Sequence, residues 1–294
     1  MNMQQMLYFR EAARYQSITR ASMELHVSQP AVSKAIHQLE TELGVNLFIR
    51  KSSRIYLTHE GKVFLPKVNQ ILVQSFDLEK EMKDYGTRLK NTVSIGVPAA
   101  IGTVLLPHIN IMISEDLGLE LEMFEYDSLT CIRKVVFGEL DLAFILSEPQ
   151  DLISLRHEPI IKTELRYCTQ MNSKYKYINK VDPRDLTDEK IIMFYPGNLI
   201  KELFESYNIR PKYTLHTNQV KTIEKFLHYG LASTFQFPEV FQDDETILSI
   251  PLICPEPLDI ELVCREETRK AVDAIYCYTQ DNKENIRKRC LKNN

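Results

Sequence analysis

A proline three residues into an otherwise helical stretch, SQPAVSKAIHQLE at residues 28–40, constrains the fold of this chain more than any other feature. Proline removes a backbone donor and breaks a helix interior, but the first helical turn has no intrahelical acceptor for its N–H groups. Ser28 is a suitable N-cap and Pro30 falls in that first turn, so a helix begins here. Upstream, Met6, Phe9 and Ala13 recur at helical spacing over Met3–Tyr15. A second short helix, capped by Ser17 or Thr19, runs through Leu25 with Ala21 and Leu25 inward, and HVSQ turns the chain into the third. On that third helix Val32, Ile36, Leu39 and Leu43 form an apolar stripe, with Gln29, Ser33 and His37 opposite it beside Pro30 and Lys34. The pattern is a helix-turn-helix, whose second helix enters a major groove by its N-terminal end. Gln29 has the amide to pair with adenine N6 and N7, and Ser33 the hydroxyl for a base edge or phosphate. A helical hairpin with a merely solvated polar side would satisfy the same spacing.

LFIRKSSRIYLT, residues 47–58, follows as two β-prone runs flanking Ser52 and Ser53, with Arg50, Lys51 and Arg54 near the tip. It reads as a wing whose cations suit phosphates or a minor groove. Charge agrees with a polyanion partner for this end. Residues 1–90 carry 13 Lys and Arg against 9 Asp and Glu, a net +4. The remainder carries 23 against 31, a net −8. From His59 to Tyr85, with Thr58 as cap, Phe64, Val68, Ile71, Ser75, Leu78, Met82 and Tyr85 step by four and three as one heptad seam. A helix of about 40 Å cannot bury such a seam alone, so a dimer is expected. Pro66 should bend this helix or destabilise it by about 3 kcal/mol, unless the helix starts later. GTRLKNT, residues 86–92, reads as a hinge.

The rest alternates strand-like runs (VSIGV, LELEMF, LDLAFI, then ELRYCT, KIIMFY, YTLHT, ASTFQF and DIELVC) with helical ones. That alternation predicts parallel sheets covered by helices, in two lobes with a cleft at the carboxyl ends of the strands. A helix over Ser128–Phe137 and a last helix from Thr268 belong to this plan. Six cysteines, at 131, 168, 254, 264, 277 and 290, form no C-x-x-C pair, against a zinc ribbon or a thioredoxin-like centre. The start has no basic segment followed by an apolar run, and no stretch approaches the roughly 20 apolar residues of a membrane span. A cytoplasmic chain with reduced thiols, off the membrane, is expected. Neither a nucleophile elbow, a zincin helix, a phosphate-binding Walker loop nor a dinucleotide fingerprint is present, and the seven histidines show no metal-ligand spacing. No catalytic residue, metal or cofactor is expected.

The text from MLYFREAARYQ to THEGKVFL, with SQPAVSKAIHQLE-x-x-LG-x-x-LF-x-R and LT-x-x-G inside it, resembles the LysR-type transcriptional regulators. LLP at 105–107, GELDLAF at 138–144, GNL after Tyr195–Pro196 and GLASTFQFP at 230–238 extend the likeness more loosely. The resemblance implies an N-terminal, mainly α winged helix-turn-helix (1–58) and a dimerising linker helix with a hinge (59–90). A two-lobed α/β effector domain like the periplasmic solute-binding proteins follows at 91–294. Lobe I would take about 91–161 and 266–294, and lobe II about 162–265. It implies homodimers, often paired into tetramers, on an interrupted palindrome of promoter DNA. It also implies a small-molecule effector between the lobes. The DNA-facing set becomes Thr19, Arg20, Ser28, Gln29, Pro30, Ala31, Ser33, Lys34 and His37, with Arg50, Lys51 and Arg54 on the wing. Many relatives have arginine where Lys34 stands, and lysine lacks the bidentate fork for guanine.

In relatives the effector rests against the loop after the first strand, here VPAAIG: Pro98, Ala99, Ala100, Ile101 and Gly102. Pro98 and Ala100 stand where many relatives have hydroxyls that bind a carboxylate. Backbone N–H groups of Ala100, Ile101 and Gly102 at the helix start remain available to an anion. Ser128, Ser147, Tyr195, Thr217, Asn218 and Gln236 complete the pocket set, each equally readable as ordinary capping or strand-end polarity. The rival of the same architecture senses oxidants through cysteine. Cys131, Cys168, Cys264 and Cys277 lie in apolar patterns, which predicts buried, inert thiols instead. A DNA binder with no effector, or an enzyme fused to a DNA-binding head, are the remaining alternatives.

Overall fold

A computed structural model of the chain describes residues 1–51, 54–86, 92–146, 155–193, 199–255 and 257–290. It divides into two compact units, Met1–Lys90 and Asn91–Asn294. No helix among the described residues is long and apolar enough to cross a membrane.

In the first unit, helices α1 (Met3–Tyr15), α2 (Ile18–Glu24) and α3 (Gln29–Leu43) precede the antiparallel pair β1 (Phe48–Lys51) and β2 (Arg54–Leu57), then α4 (His59–Gly86). The helix starts are chemical. Asn2 and Gln5 form a capping box on α1, and Ser17, not Thr19, caps α2 by accepting from Arg20 N. Ser28 holds the N-cap position of α3, but its hydroxyl makes no capping bond; its carbonyl accepts from Ala31 N at 3.0 Å instead. Glu40, the last residue of the opening stretch, reaches over to the wing. Its Oε1 accepts from Leu47 N at 2.7 Å and Phe48 N at 3.1 Å. Thr58 caps α4 through Gly61 N (2.9 Å) and donates to Asn46 O (2.7 Å). Gly61 is required there, since a Cβ would overlap the Leu47 carbonyl oxygen and lie 2.9 Å from Leu57 Cδ2.

Two expectations change in this unit. Val32, Ile36 and Leu39 are buried, whereas Leu43 at the helix end is exposed. The heptad seam of α4 is in part used up inside the unit. Val68 and Leu72, with Phe64 and Leu65 partly, pack on Met6, Phe9, Leu39 and Leu47. Ile71, Leu78 and Met82 are 40%, 59% and 58% exposed. The side chain of Tyr85 lies outside the described residues. The helix does not start after Pro66 but runs through it from His59.

The second unit holds two sheets. In the first, β3 (Thr92–Val97), β4 (Glu120–Glu125), β5 (Leu142–Leu146), β6 (Leu155–Glu164) and β12 (Pro257–Arg265) stand in the order β4-β3-β5-β12-β6. Helices α5 (Ala99–Leu117), α6 (Ser128–Val136), α9 (Lys270–Asp281) and α10 (Lys283–Cys290) belong with it. The second sheet has the order β10-β7-β11, from Thr234–Gln236, Arg166–Gln170 and Ile247–Pro251. Beside it lies the parallel pair β8 (Lys190–Met193) and β9 (Lys212–His216), bridged to it from Ile191 to Ser233. Helices α7 (Leu199–Ser206) and α8 (Val220–His228) complete this lobe.

Neither sheet is purely parallel: in the first, β3 runs parallel to β4 and β5 but β12 is antiparallel to β5 and β6, and the second, β10-β7-β11, is antiparallel throughout. The strands that leave and re-enter the first sheet run in opposite directions, hence the reversal. The lobe boundaries shift accordingly. Glu164 pairs with Pro257, so the outward crossing follows residue 164 and the return precedes 257, not 266. The last helix starts at Lys270 and breaks after Asp281. Asp141 of GELDLAF is buried where it accepts from Ser94 N and Oγ, both 2.8 Å, and from Arg269 Nη2 at 2.9 Å. That network holds the first residues of β3 onto β5 and α9.

Candidate functional sites

The helix-turn-helix is built by one buried and one bare face. Val32 and Ile36 of α3 pack with Tyr8, Ala12 and Ala21, which fixes α3 against α1 and α2. His26 takes a left-handed conformation (φ 52°) in the turn between α2 and α3. Thr19, Arg20, Ser28, Gln29, Pro30, Ala31, Lys34 and His37 are all exposed, and Ser33 is half-buried. From Gln29 to Leu39 the helix carries no acid, and the carboxylate that follows, Glu40, is turned to the wing. An anion approaching the start of α3 therefore meets amide, hydroxyl and ammonium groups without a repelling carboxylate. Arg50 and Arg54 are exposed on β1 and β2, one register step apart. The side chain of Lys51 and the tip residues Ser52 and Ser53 lie outside the described residues.

In the second unit the pocket candidates sit at the carboxyl ends of strands, but many are already engaged. Pro98 is the N-cap of α5, and Gly102 N donates to Pro98 O at 2.8 Å. Gly102 therefore offers no free N–H; the first turn that lacks intrahelical acceptors is Ala99, Ala100 and Ile101. Gly102 serves packing instead: a Cβ would meet Val97 Cγ1 at 3.2 Å and Leu106 Cδ1 at 3.4 Å. Asp127, not Ser128, caps α6, and Ser128 Oγ accepts from Leu146 N at 3.2 Å, tying the start of α6 to the end of β5. Thr217 N donates to Met193 O at 3.0 Å and its Oγ1 accepts from Gln219 N at 3.1 Å; Asn218 is exposed. Gln236 is buried, with Oε1 accepting from Phe237 N at 2.9 Å and Nε2 without a partner among the described residues. The next residue, Phe237, belongs to the core of the first sheet together with Ile101 and Leu105. Ser147 and Tyr195 lie outside the described residues.

Sequence reasoning missed a groove of about 880 Å³ where the chain crosses between sheets, lined in part by Thr163, Arg166, Glu239, Phe241, Asp244 and Ser249. Glu239 is buried and accepts from Thr163 Oγ1 at 3.1 Å; burial pushes its carboxyl above the usual range. The residues are scattered over β6, β7, β11 and a turn, so no local pattern marks them. Among the thiols, burial pushes Cys131 and Cys168 up to about 12 and Cys264 and Cys290 up to about 11. Cys254 and Cys277 are exposed, so Cys277 departs from the burial its apolar helix predicts.

Residues 3–62 match the bacterial regulatory helix-turn-helix protein, lysR family, and residues 86–276 match the LysR substrate binding domain. The chain belongs to the LysR family: it is a transcriptional regulator with a helix-turn-helix DNA-binding part and an effector-binding domain. Among curated relatives it is 33% identical to the uncharacterised regulator YcgK of Bacillus subtilis over 162 residues, 55% of this chain. That match spans 50% of YcgK, so the chain covers about half the length of this relative. To YybE of the same organism it is 26% identical over 265 residues, 87% of this chain and 89% of that one. A full-length OxyR variant from Pseudomonas aeruginosa shares the fold at a TM-score of 0.58 and 20% identity, over 96% of this chain and 99% of that chain.

Proposed function

We propose that the bare face of α3 reads promoter DNA in the major groove, with Gln29 pairing to adenine, Ser33 and Lys34 on base edges or phosphates, and His37 beyond them. Pro30 and Ala31 are small and let the backbone approach closely. Thr19, Arg20 and Ser28 face phosphates, and Arg50, Lys51 and Arg54 of the wing supply salt-dependent affinity. Two such heads joined through the exposed Ile71, Leu78 and Met82 of α4 read two half-sites, so the DNA mirrors the twofold of the protein. Dimers pair into tetramers, as the resemblance implies. The protein acts in the cytoplasm, as a regulator and not as an enzyme. A small anionic effector lies beside Ala99, Ala100 and Ile101, with Ser128, Thr217, Asn218 and Gln236 toward the same cleft. It favours one arrangement of the lobes because it binds that arrangement more tightly.

The observation that carries this reading is the division of α3 into a buried apolar face and an exposed polar face that carries no carboxylate from Gln29 to Leu39. Substitution separates the roles. Gln29→Ala or Ser33→Ala should lose sequence discrimination by about 1–3 kcal/mol while keeping general affinity. Arg54→Ala should weaken every duplex alike and reduce the salt slope by about one. A footprint unchanged by Gln29→Ala would remove the groove assignment. A cysteine-based redox switch is the less supported reading of the same architecture. Its buried thiols are held protonated, and the likeness to OxyR is one of fold.

A further inference from the structure

We infer that Glu224, His228 and Asp244 form a binding site for a divalent transition-metal ion, such as zinc. Glu224 and His228 stand four residues apart on one face of α8. Asp244 comes to them from the loop after the short Pro238–Phe241 turn, sixteen residues on from His228. One ligand atom from each lies within 4.8 Å of the others, and all three residues are half-buried. His228 Nε2 and Asp244 Oδ2 are already 2.8 Å apart. Imidazole nitrogen and carboxylate oxygen are both zinc ligands, and three protein ligands leave a fourth tetrahedral position for water.

The supporting shell is in place as well. The other oxygen of Asp244, Oδ1, accepts from Thr246 N at 3.0 Å and Thr246 Oγ1 at 2.6 Å. This leaves Oδ2 turned to the imidazole, the orientation that outer partners impose on metal ligands. Lys221 Nζ donates to both Glu224 oxygens, Oε1 at 2.6 Å and Oε2 at 2.8 Å, but this lysine is 76% exposed, and such pairs are weak in water. An incoming dication displaces it. Asp244 also lines the groove of about 880 Å³, an open approach that does not require the fold to part.

The position gives the ion a consequence. The segment holding Asp244 is docked on the first sheet and its helices, through Thr163 Oγ1 to Glu239 Oε2 (3.1 Å) and Gln242 Nε2 to Cys290 O (3.0 Å). α8 belongs to the second sheet. An ion bonded to both ties α8 to the second-lobe segment between β10 and β11 that reaches over to the first sheet.

The test titrates Zn²⁺, and separately Co²⁺, into the metal-free full-length chain by calorimetry and absorption spectroscopy. We expect one equivalent bound, a cobalt spectrum without sulfur-to-metal charge transfer, and affinity that falls on acidification as protons compete with the ion for its ligands. Thr246→Val should weaken binding by about 10-fold, and His228→Ala or Asp244→Asn by about 100-fold or more. Glu224→Gln, which keeps the size of the side chain and removes its charge, should also weaken binding, and melting of each metal-free variant is measured alongside to separate lost binding from lost folding. Zinc binding undiminished in all four variants, a thiolate cobalt spectrum, or no binding by the folded wild type would overturn the site.

Discussion

Glu40→Ala tests how the fold carries the wing. In the native chain one carboxylate oxygen receives Leu47 N at 2.7 Å and Phe48 N at 3.1 Å. A hydrogen bond to a charged group contributes about 1.5–3 kcal/mol when shielded. Glu40 is half-exposed, so water screens both bonds and replaces part of the loss for Phe48. Leu47 is buried, and its N–H has less access to a substitute. The two bonds together should therefore stabilise the start of the wing by about 2 kcal/mol, a factor of about 30 in its opening equilibrium. Hydrogen exchange should speed up by about that factor over residues 46–51, with residues 3–24 unaffected. Glu40→Gln, which keeps a neutral acceptor, should fall between. DNA affinity should drop and lose salt dependence, because Arg50 and Arg54 no longer hold one position. Exchange in Glu40→Ala at the wild-type rate would refute the idea that this carboxylate anchors the wing.

Three other outcomes follow from the structure. Gly61→Ala forces a Cβ onto the Leu47 carbonyl, which should destabilise the first unit by about 2 kcal/mol in denaturant unfolding. In the native protein near neutral pH, a thiol reagent should label Cys254 and Cys277 and leave Cys131, Cys168, Cys264 and Cys290, which react only after unfolding. Glu239 is raised by burial, so the folded chain holds its proton more tightly than the unfolded one. Its stabilising contribution is present below the unfolded carboxylate range and lost as pH rises through the folded value. Glu239→Gln should therefore raise the melting temperature at neutral pH, with the gain shrinking in acid.

How much of this was legible in the sequence depended on how local each feature is. Pro30, the caps at Ser17 and Thr58, and the wing are written in neighbouring residues, and the first unit follows from them. The α4 seam is legible only in part, because seven-residue spacing does not tell which positions pack on α1 and α3: buried Leu72 and exposed Ile71 are neighbours in sequence. β6 escaped notice because LRHEPIIKTE contains Pro159 and scattered charges. It is an edge strand of its sheet, where proline is tolerated, and its partner β12 is irregular between Ile260 and Glu261. The antiparallel return of β12 has no local signature at all. Neither has the meeting of His228 with Asp244, nor the occupation of Gly102 N by Pro98 O. Of the pocket residues, strand-end polarity located Thr217 and Gln236, but not that their backbone and side-chain groups already bond their own lobe.

The most direct measurement is selection of duplexes from a random library by the full-length chain, followed by reading the symmetry of what is bound. A pair of α3 helices should recover two inverted half-sites about 10 base pairs apart, or a multiple of that, centre to centre. Recovery of a single unrepeated half-site, or of no sequence preference at low salt, would contradict the account.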